Sequence, residues 1–365
     1  MDLVRKAFDF GDGVFKYNFF SKFKTLYPKF LIINLTYKCN SRCVMCNIWK
    51  MKPQKELSFE DWKSILKDPL FKKTEVVTIS GGEAFLYQDY LKTIKLIIYR
   101  LPKLKKIVLN SNGFGKNVAE NILKVADCCR LKNIKLAVTI SIDEIGERHD
   151  KIRRIKNGFD KTMMTLDKLV IAIDSGIKID LSVASVLMNK NIDRYKKIRE
   201  FFIGKKINHG FQLIGFHDTY VNNLEEKNNL GFIGEDKKKI LKFLEKMKNK
   251  GGFESFYWDD MYKMYKNNER RKTPCVFLKN GLVVDSIGDV YYCLSAKPIG
   301  NFVKEKRSIS EIYFDSKNIE FRNNLWIKNC RYCNSGCDVT KAVAYDFKKY
   351  LIFRMKRLFE TSFDK

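Results

Sequence analysis

The sequence has little histidine and lacks any long apolar run. Its 365 residues include only three histidines, His149, His209 and His217, so acid–base chemistry would fall mostly on Tyr, Lys, Asp, Glu or Cys side chains. No segment approaches the roughly 18 apolar residues that a membrane span needs. The N-terminal stretch lacks the basic start, apolar core and small-residue cleavage site of an export signal. We therefore expect a cytoplasmic protein without a membrane-spanning helix.

Acidic residues are few relative to basic ones. The chain has 70 Lys and Arg against 42 Asp and Glu, a formal net charge of +28. Basic surfaces attract phosphate, but these lysines are spread over the whole length, which is typical of solvated faces. The charge therefore does not favour a dedicated nucleic-acid function. It leaves open an anionic substrate or contact with a membrane surface.

Eight of the ten cysteines fall into two groups near the two ends of the chain, and the adjacent Cys128 and Cys129 between them are interpreted as ordinary helix or core residues. Because a reducing cytosol disfavours disulfides, we interpret them as thiols or metal ligands. Cys39, Cys43 and Cys46 form a CxxxCxxC triplet, which supplies three thiolates and suits a metal centre that keeps one position open. The distal group has five members, Cys275, Cys293, Cys330, Cys333 and Cys337.

Strand-like and helical patterns alternate through the first 220 residues. The predicted strands are 30–36, 75–80, 105–110, 134–142, 177–187 and 211–216, and the predicted helices are 59–66, 90–101, 117–130, 161–175 and 192–202. Six βα units predict an α/β fold with a parallel sheet that is either curved toward a partial barrel or open. Functional groups should then gather at the carboxyl ends of the strands.

Polar residues do follow several of these strand ends. The second strand runs into Gly81-Gly82-Glu83, the third ends near Asn112, and the fourth ends with Ser141 and Asp143. Each ending alone is an ordinary turn or helix cap. Their joint placement on one rim predicts a single ligand site.

A CxxxCxxC triplet after a first strand and a Gly-Gly-Glu after a second resemble the radical S-adenosylmethionine (SAM) superfamily over residues 28–220. The resemblance implies a partial (β/α)6 TIM-type barrel. It implies that Cys39, Cys43 and Cys46 hold three irons of a 4Fe-4S cluster whose fourth iron binds SAM. It also implies reductive cleavage of SAM to a 5′-deoxyadenosyl radical that abstracts a substrate hydrogen, and an electron donor such as flavodoxin or ferredoxin.

The resemblance also implies roles for the residues on the rim. Gly81, Gly82 and Glu83 would meet the methionine amino group, and Ser141 and Asp143 would lie near the ribose, with Asn112 on the same rim. Arg153 or Arg154 would bind the methionine carboxylate, and the sequence does not choose between them. Met45 stands where relatives usually have an aromatic residue against the adenine.

The distal cysteines resemble the SPASM and twitch extensions that carry auxiliary clusters. A hairpin is predicted at 279–285 and 290–293, with its turn at Gly288, followed by a CxxCxxxC run. Five cysteines can fully ligate one auxiliary 4Fe-4S cluster, for which we favour Cys275, Cys293, Cys330 and Cys333, with Cys337 as an alternative. A structural zinc site is the competing interpretation, because paired CxxC motifs also bind zinc.

These patterns predict five segments and leave the substrate open. The segments are an N-terminal extension (1–27), the barrel (28–220), a helical connector (221–270), a cysteine-rich α+β extension (271–340) and a basic amphipathic helix (341–365). That helix could contact a membrane surface or cover the core.

The sequence favours oxidation or epimerisation of a sugar-like small molecule or glycan, with peptide maturation as an alternative. A non-catalytic zinc and nucleic-acid binding protein is the rival, but it leaves the Gly-Gly-Glu motif unexplained.

Overall fold

The computed structural model of the chain describes residues 11, 14–53, 55–273, 275–336, 342–343 and 346–363. Contacts divide these residues into two units. The barrel unit contains Tyr27–Gly231 and Gly281–Asn318, and the helical unit takes its described residues from 1–26, 232–280 and 319–365. Grouping by contacts differs from the five segments predicted from the sequence, whose boundaries stay a prediction.

The barrel unit contains a nine-stranded sheet that does not close on itself. Its strands are β1 (Phe30–Asn34), β2 (Val76–Ser80), β3 (Lys106–Ser111), β4 (Lys135–Ser141), β5 (Asp180–Leu187), β6 (Asn208–Leu213), β7 (Gly281–Val284), β8 (Asp289–Tyr291) and β9 (Gly300–Asn301). Their order across the sheet is β6-β5-β4-β3-β2-β1-β7-β8-β9. The strands from β1 to β7 run parallel. Strand β8 pairs antiparallel with β7, and β9 pairs antiparallel with β8. The structure confirms the predicted partial barrel with a C-terminal extension.

Helices connect the strands of the barrel unit and build most of the helical unit. In chain order they are α1 (Phe59–Ile65), α2 (Tyr90–Arg100), α3 (Val118–Leu131), α4 (Glu147–Arg153), α5 (Gly158–Asp174), α6 (Tyr195–Gly204), α7 (Lys227–Leu230), α8 (Gly234–Lys248), α9 (Glu254–Asn267), α10 (Val276–Asn280), α11 (Phe302–Glu305), α12 (Ile309–Phe314), α13 (Ser316–Lys328) and α14 (Phe347–Phe363). None of the helices in the described part of the chain has both the length and the apolar character that crossing a bilayer requires.

Alternating burial along the strands forms the core of the barrel unit. In β3 and β5 every second residue is buried, as expected where one face of a strand meets the barrel interior and the other meets covering helices. Trp62 on α1 and Phe202 on α6 are completely buried between helix and sheet layers. This packing fixes the strands in register, so their carboxyl ends share one rim.

The sixth strand departs from its predicted position. The sequence predicts 211–216, whereas β6 occupies Asn208–Leu213 because Ser182 to Leu187 of β5 pair with all six of its residues. Asn208 and Gly210 have weak strand propensity, so the predicted strand did not include them. The other five predicted strands and the five predicted helices match observed elements within a few residues.

The helical unit is held together by aromatic contacts. Phe243 of α8 meets Trp258 of α9 edge to face, and Phe256 of α9 lies against Phe353 of α14. The opposite side of α14 leaves Leu351 about half exposed. One face of the predicted basic amphipathic helix therefore packs, and the other meets solvent.

Candidate active site

The first cysteine triplet lies in the loop that leaves the carboxyl end of β1. Burial raises the pKa of the Cys39 thiol to about 12, and the neighbouring Cys43, Glu83 and Cys46 add to the rise. Burial likewise raises the pKa of Cys46 to about 11, with Cys43 contributing. The three thiols thus share one partly buried space. Cys39 and Cys46 would ionise there only beside a strong positive charge, such as the irons of a bound cluster.

In the part of the chain that the structure describes, no three His, Cys, Asp or Glu side chains lie close enough together to hold a single metal ion. A 4Fe-4S cluster makes a different demand, because each thiolate binds its own iron. A set of three thiols is the donor chemistry that such a cluster takes when one iron is left open.

The end of α4 holds the cysteine loop in place. The backbone N–H groups of Arg42 and Val44 donate to the carbonyls of Arg153 and Ile152, at 3.3 and 2.9 Å. The Ser41 hydroxyl donates to the Arg153 carbonyl at 2.9 Å. The loop is therefore attached to the segment that carries the predicted carboxylate-binding arginines.

Gly81 and Gly82 lie directly against the start of the cysteine loop. The Gly82 N–H donates to the Thr36 carbonyl at 2.7 Å, and the Glu83 N–H donates to the Lys38 carbonyl at 2.9 Å. A Cβ atom on Gly82 would lie 2.2 Å from the Lys38 carbonyl oxygen, and Gly81 has φ +132°. Only glycine permits this close approach of two backbones.

Glu83 is buried at the carboxyl end of β2, with 2% of its surface exposed. Its carboxylate accepts from the Ser111 hydroxyl at 3.0 Å and from the Asn112 N–H at 2.9 Å. Burial raises its pKa to about 7, partly offset by these donors and by Arg153. The Asn112 amide also donates to Asn40 Oδ1 at 2.8 Å, which joins the end of β3 to the cysteine loop.

Asp143 and Arg153 form a buried ion pair at the end of β4. Arg153 Nε donates to Asp143 Oδ2 at 2.6 Å, and Asp143 Oδ1 accepts from the Val186 N–H at 2.8 Å. Burial works against the Arg153 charge, but Asp143 and Cys43 outweigh it and raise the arginine pKa. Arg154 is exposed, in the left-handed conformation that ends α4. The structure therefore brings Arg153, and not Arg154, to the thiols.

The remaining predicted residues also lie on this rim. Met45 is buried and precedes the third cysteine, and Ser141 is the half-buried last residue of β4. The roles predicted for them against adenine and ribose stay predictions.

Sequence reasoning missed an acidic pair that supports the start of the cysteine loop. Glu56 accepts from the Thr36 hydroxyl at 2.8 Å and from the Tyr37 N–H at 2.5 Å. Asp285, directly after β7, accepts from the hydroxyls of Tyr37 and Tyr291 at 2.6 and 2.9 Å. Burial raises the pKa of Asp285 to about 6. Because β7 lies parallel to β1, inspection of strand ends would have found Asp285 had this pairing been predicted.

Three distal cysteines come together in the helical unit. Burial raises the pKa of Cys330 to about 12, with Cys275 and Cys333 contributing. Arg271 lies beside them, donating from Nη1 to the Ser335 carbonyl at 2.7 Å. Cys293 belongs to the barrel unit and Cys337 lies outside the described residues, so both stay predictions as ligands.

Two family models match the chain. The model of the radical SAM superfamily matches residues 33–204, and that of the iron-sulfur cluster-binding domain called SPASM matches residues 275–334. The first match contains Cys39, Cys43 and Cys46, and the second contains all of the distal cysteines except Cys337.

Curated relatives are distant and mostly align over part of their length. The sporulation killing factor maturation protein SkfB of Bacillus subtilis is 28% identical over 169 residues, 46% of this chain and 38% of that protein. GTP 3',8-cyclase of Campylobacter jejuni is 28% identical over 184 residues, 48% of this chain and 53% of that protein. The chain thus spans about half or less of the length of these two relatives. An uncharacterised protein of Methanocaldococcus jannaschii is 25% identical over 283 residues, 73% of this chain and 84% of that protein.

Solved structures share the fold. Native anSMEcpe with bound AdoMet and Kp18Cys peptide has a TM-score of 0.59 at 18% identity, covering 89% of this chain and 98% of that one. Streptococcus suis SuiB bound to the precursor peptide SuiA has a TM-score of 0.54 at 15% identity, covering 93% and 77%. With the thiol triplet and the Gly-Gly-Glu loop in place, a 4Fe-4S cluster and SAM are the cofactors. The chain belongs to the radical SAM superfamily and carries a SPASM iron-sulfur cluster-binding domain.

Proposed function

We propose that this radical SAM enzyme removes a hydrogen atom from a residue of a peptide substrate and oxidises that residue. The observation that carries the substrate class is the fold shared with anSMEcpe, over 98% of that chain, in a structure solved with AdoMet and a peptide. SuiB bound to its precursor peptide and the maturation protein SkfB add support. The sequence alone tilted toward a small molecule or glycan, and these similarities give its peptide alternative the stronger support.

The residues on the rim would share the work of binding the cofactors. When bound, the cluster supplies an electron that cleaves SAM and yields the 5′-deoxyadenosyl radical. Cys39, Cys43 and Cys46 hold the cluster, and the Glu83 carboxylate accepts from the methionine amino group. The Arg153 guanidinium donates to the methionine carboxylate and is held in place by Asp143.

The distal cysteines support net oxidation. Cys275, Cys330 and Cys333 would hold an auxiliary 4Fe-4S cluster, and the sequence predicts Cys293 as its fourth ligand with Cys337 as the alternative. A cluster held there would supply an acceptor for the electron that remains on the substrate after hydrogen abstraction, while a proton leaves the substrate to solvent. A small electron carrier such as flavodoxin or ferredoxin supplies the first electron.

The test uses the anaerobically reconstituted full chain with dithionite, SAM and candidate peptides encoded near its gene. We expect 5′-deoxyadenosine together with a peptide that has lost a pair of hydrogens, both detected by mass spectrometry. Cys39→Ala should form neither. Stimulation of 5′-deoxyadenosine formation by a sugar or nucleotide, and by no peptide, would replace the proposed substrate class. A protein with no brown chromophore and no 5′-deoxyadenosine would reject catalysis itself.

A further inference from the structure

A short segment after β6 contacts both sides of the third cluster cysteine. We call residues 214–223 the β6 loop. The Asn223 side-chain amide donates to the Met45 carbonyl at 2.8 Å, directly before Cys46. The Asn47 N–H, directly after Cys46, donates to the Val221 carbonyl at 2.9 Å. The backbone on either side of Cys46 is thus fixed by one loop.

Asn223 is also the residue that closes the β6 loop on itself. Only 1% of its surface is exposed. Its amide donates to the Gly215 carbonyl at 2.9 Å, and its Oδ1 accepts from the His217 N–H at 3.0 Å. Its own N–H donates to the His217 carbonyl at 2.9 Å. A buried amide with this many partners specifies a single position for its neighbours.

The same loop reaches the Gly-Gly-Glu motif. The Tyr220 hydroxyl donates to the Gly81 carbonyl at 2.7 Å. Its oxygen also lies 3.5 Å from the hydroxyl oxygen of Ser80, the last residue of β2. Tyr220 therefore lies where the cluster loop and the predicted methionine-binding loop meet.

The far side of the loop is anchored to the segment that follows Cys293. The Thr219 hydroxyl donates to the Leu294 carbonyl at 2.7 Å, and His217 Nε2 lies 3.2 Å from the Ser295 hydroxyl oxygen. These contacts belong to the barrel unit and fix the loop from behind.

We propose that the β6 loop is a positioning element of the SAM site. Asn223 fixes the carbonyl before Cys46, and Tyr220 fixes Gly81. Side chains that orient ligand-bearing segments typically change metal affinity or activity by about 10- to 100-fold when removed, without touching the metal. The inference rests on the family's cofactors and not on the peptide substrate, so its readouts need no substrate.

The test compares Asn223→Ala and Tyr220→Phe with Asn228→Ala, an exposed asparagine of α7, in the reconstituted full chain. We expect Asn223→Ala to weaken SAM binding by about tenfold and to alter the SAM-induced change in the electron paramagnetic resonance spectrum of the reduced cluster. Tyr220→Phe should weaken SAM binding in the same direction while keeping the iron content of the wild type. Asn228→Ala should match the wild type in all three measurements.

Folding does not confound the outcome, because Tyr220→Phe removes one hydroxyl and conserves the ring. If Asn223→Ala fails to fold, Tyr220→Phe decides: weaker SAM binding at unchanged iron supports the inference. Wild-type SAM affinity and spectrum in Tyr220→Phe, or in a folded Asn223→Ala, would overturn it. Failure to find a peptide substrate would not affect either result.

Discussion

Arg153 Nε lies 2.6 Å from Asp143 Oδ2, and this buried pair stands beside the thiols of the first cysteine group. Asp143 is completely buried and Arg153 is 8% exposed. Both Asp143 oxygens already accept hydrogen bonds from the protein. Asp143 is therefore placed to orient the arginine.

Substitution of the two neighbouring arginines by lysine should affect SAM binding differently. We expect Arg153→Lys to weaken SAM binding by about tenfold or more, because an ammonium cannot donate to Asp143 and to a carboxylate with the geometry of a guanidinium. Arg154→Lys, the matched control, should bind like the wild type because Arg154 is exposed. Equilibrium binding of SAM to the reconstituted proteins measures both. Weaker SAM binding in Arg154→Lys alone would contradict this assignment and would indicate that Arg154 binds the methionine carboxylate.

The contact between Gly82 and Lys38 predicts a local steric effect. Gly82→Ala would place a methyl group 2.2 Å from a backbone oxygen, which neither loop can avoid without moving. We expect it to lower the free energy of unfolding by about 1–3 kcal/mol and to impair cluster retention. Gly210→Ala, with nothing within 4 Å of the added Cβ, is the control and should be neutral. Urea midpoints and iron content measure the two effects, and equal behaviour of both variants would contradict the steric argument.

The sequence was sufficient for features that depend on local pattern. Cys39, Glu83, Asn112 and Asp143 follow successive strands, and parallel strands end on a common rim, so their convergence was predictable. The choice of Arg153 over Arg154 was not, because it depends on how the chain leaves α4 at its left-handed end.

The pairing of strands that are distant in the chain was the other feature that the sequence did not predict. The four residues of β7 were predicted as part of a hairpin, and that hairpin exists. Nothing local indicates that β7 also pairs with β1, about 250 residues earlier in the chain. Asp285, the acid that follows β7, was missed for this reason.

Iron content separates the two predicted clusters. Wild-type protein reconstituted without oxygen should bind about eight irons, four in each cluster. Cys39→Ala and Cys330→Ala should each lose about four, whereas Cys128→Ala on α3 should lose none. Iron and zinc analysis of the three variants gives the answer. Stoichiometric zinc in Cys39→Ala, with only about four irons in the wild type, would make the distal group a zinc site.

A half-buried histidine away from the site should make stability depend on pH. His209 Nε2 lies 2.8 Å from the Ser185 hydroxyl oxygen, and the Ser185 hydrogen is donated to the Ile142 carbonyl. Nε2 therefore carries the proton of a neutral ring. Among the described residues Nδ1 has no hydrogen-bond partner, so a second proton there would be buried without an acceptor. Burial, assisted by Arg199, lowers the pKa of His209 to about 4.

The sign of the effect follows from proton binding. Between about pH 4 and the unfolded value near 6.5, the unfolded chain binds a proton that the folded chain rejects. Stability from this group is present above about pH 6.5 and is lost as the pH falls toward 4. We expect His209→Gln to reduce the difference in unfolding free energy between pH 7 and pH 5 by about 1–2 kcal/mol, whatever its cost at either pH alone. Urea titrations at the two pH values measure the difference. Part of the pH dependence should persist in the variant, because burial also lowers the pKa of His149 to about 4. A pH dependence of stability equal to that of the wild type would show that His209 binds protons equally in the folded and unfolded chains.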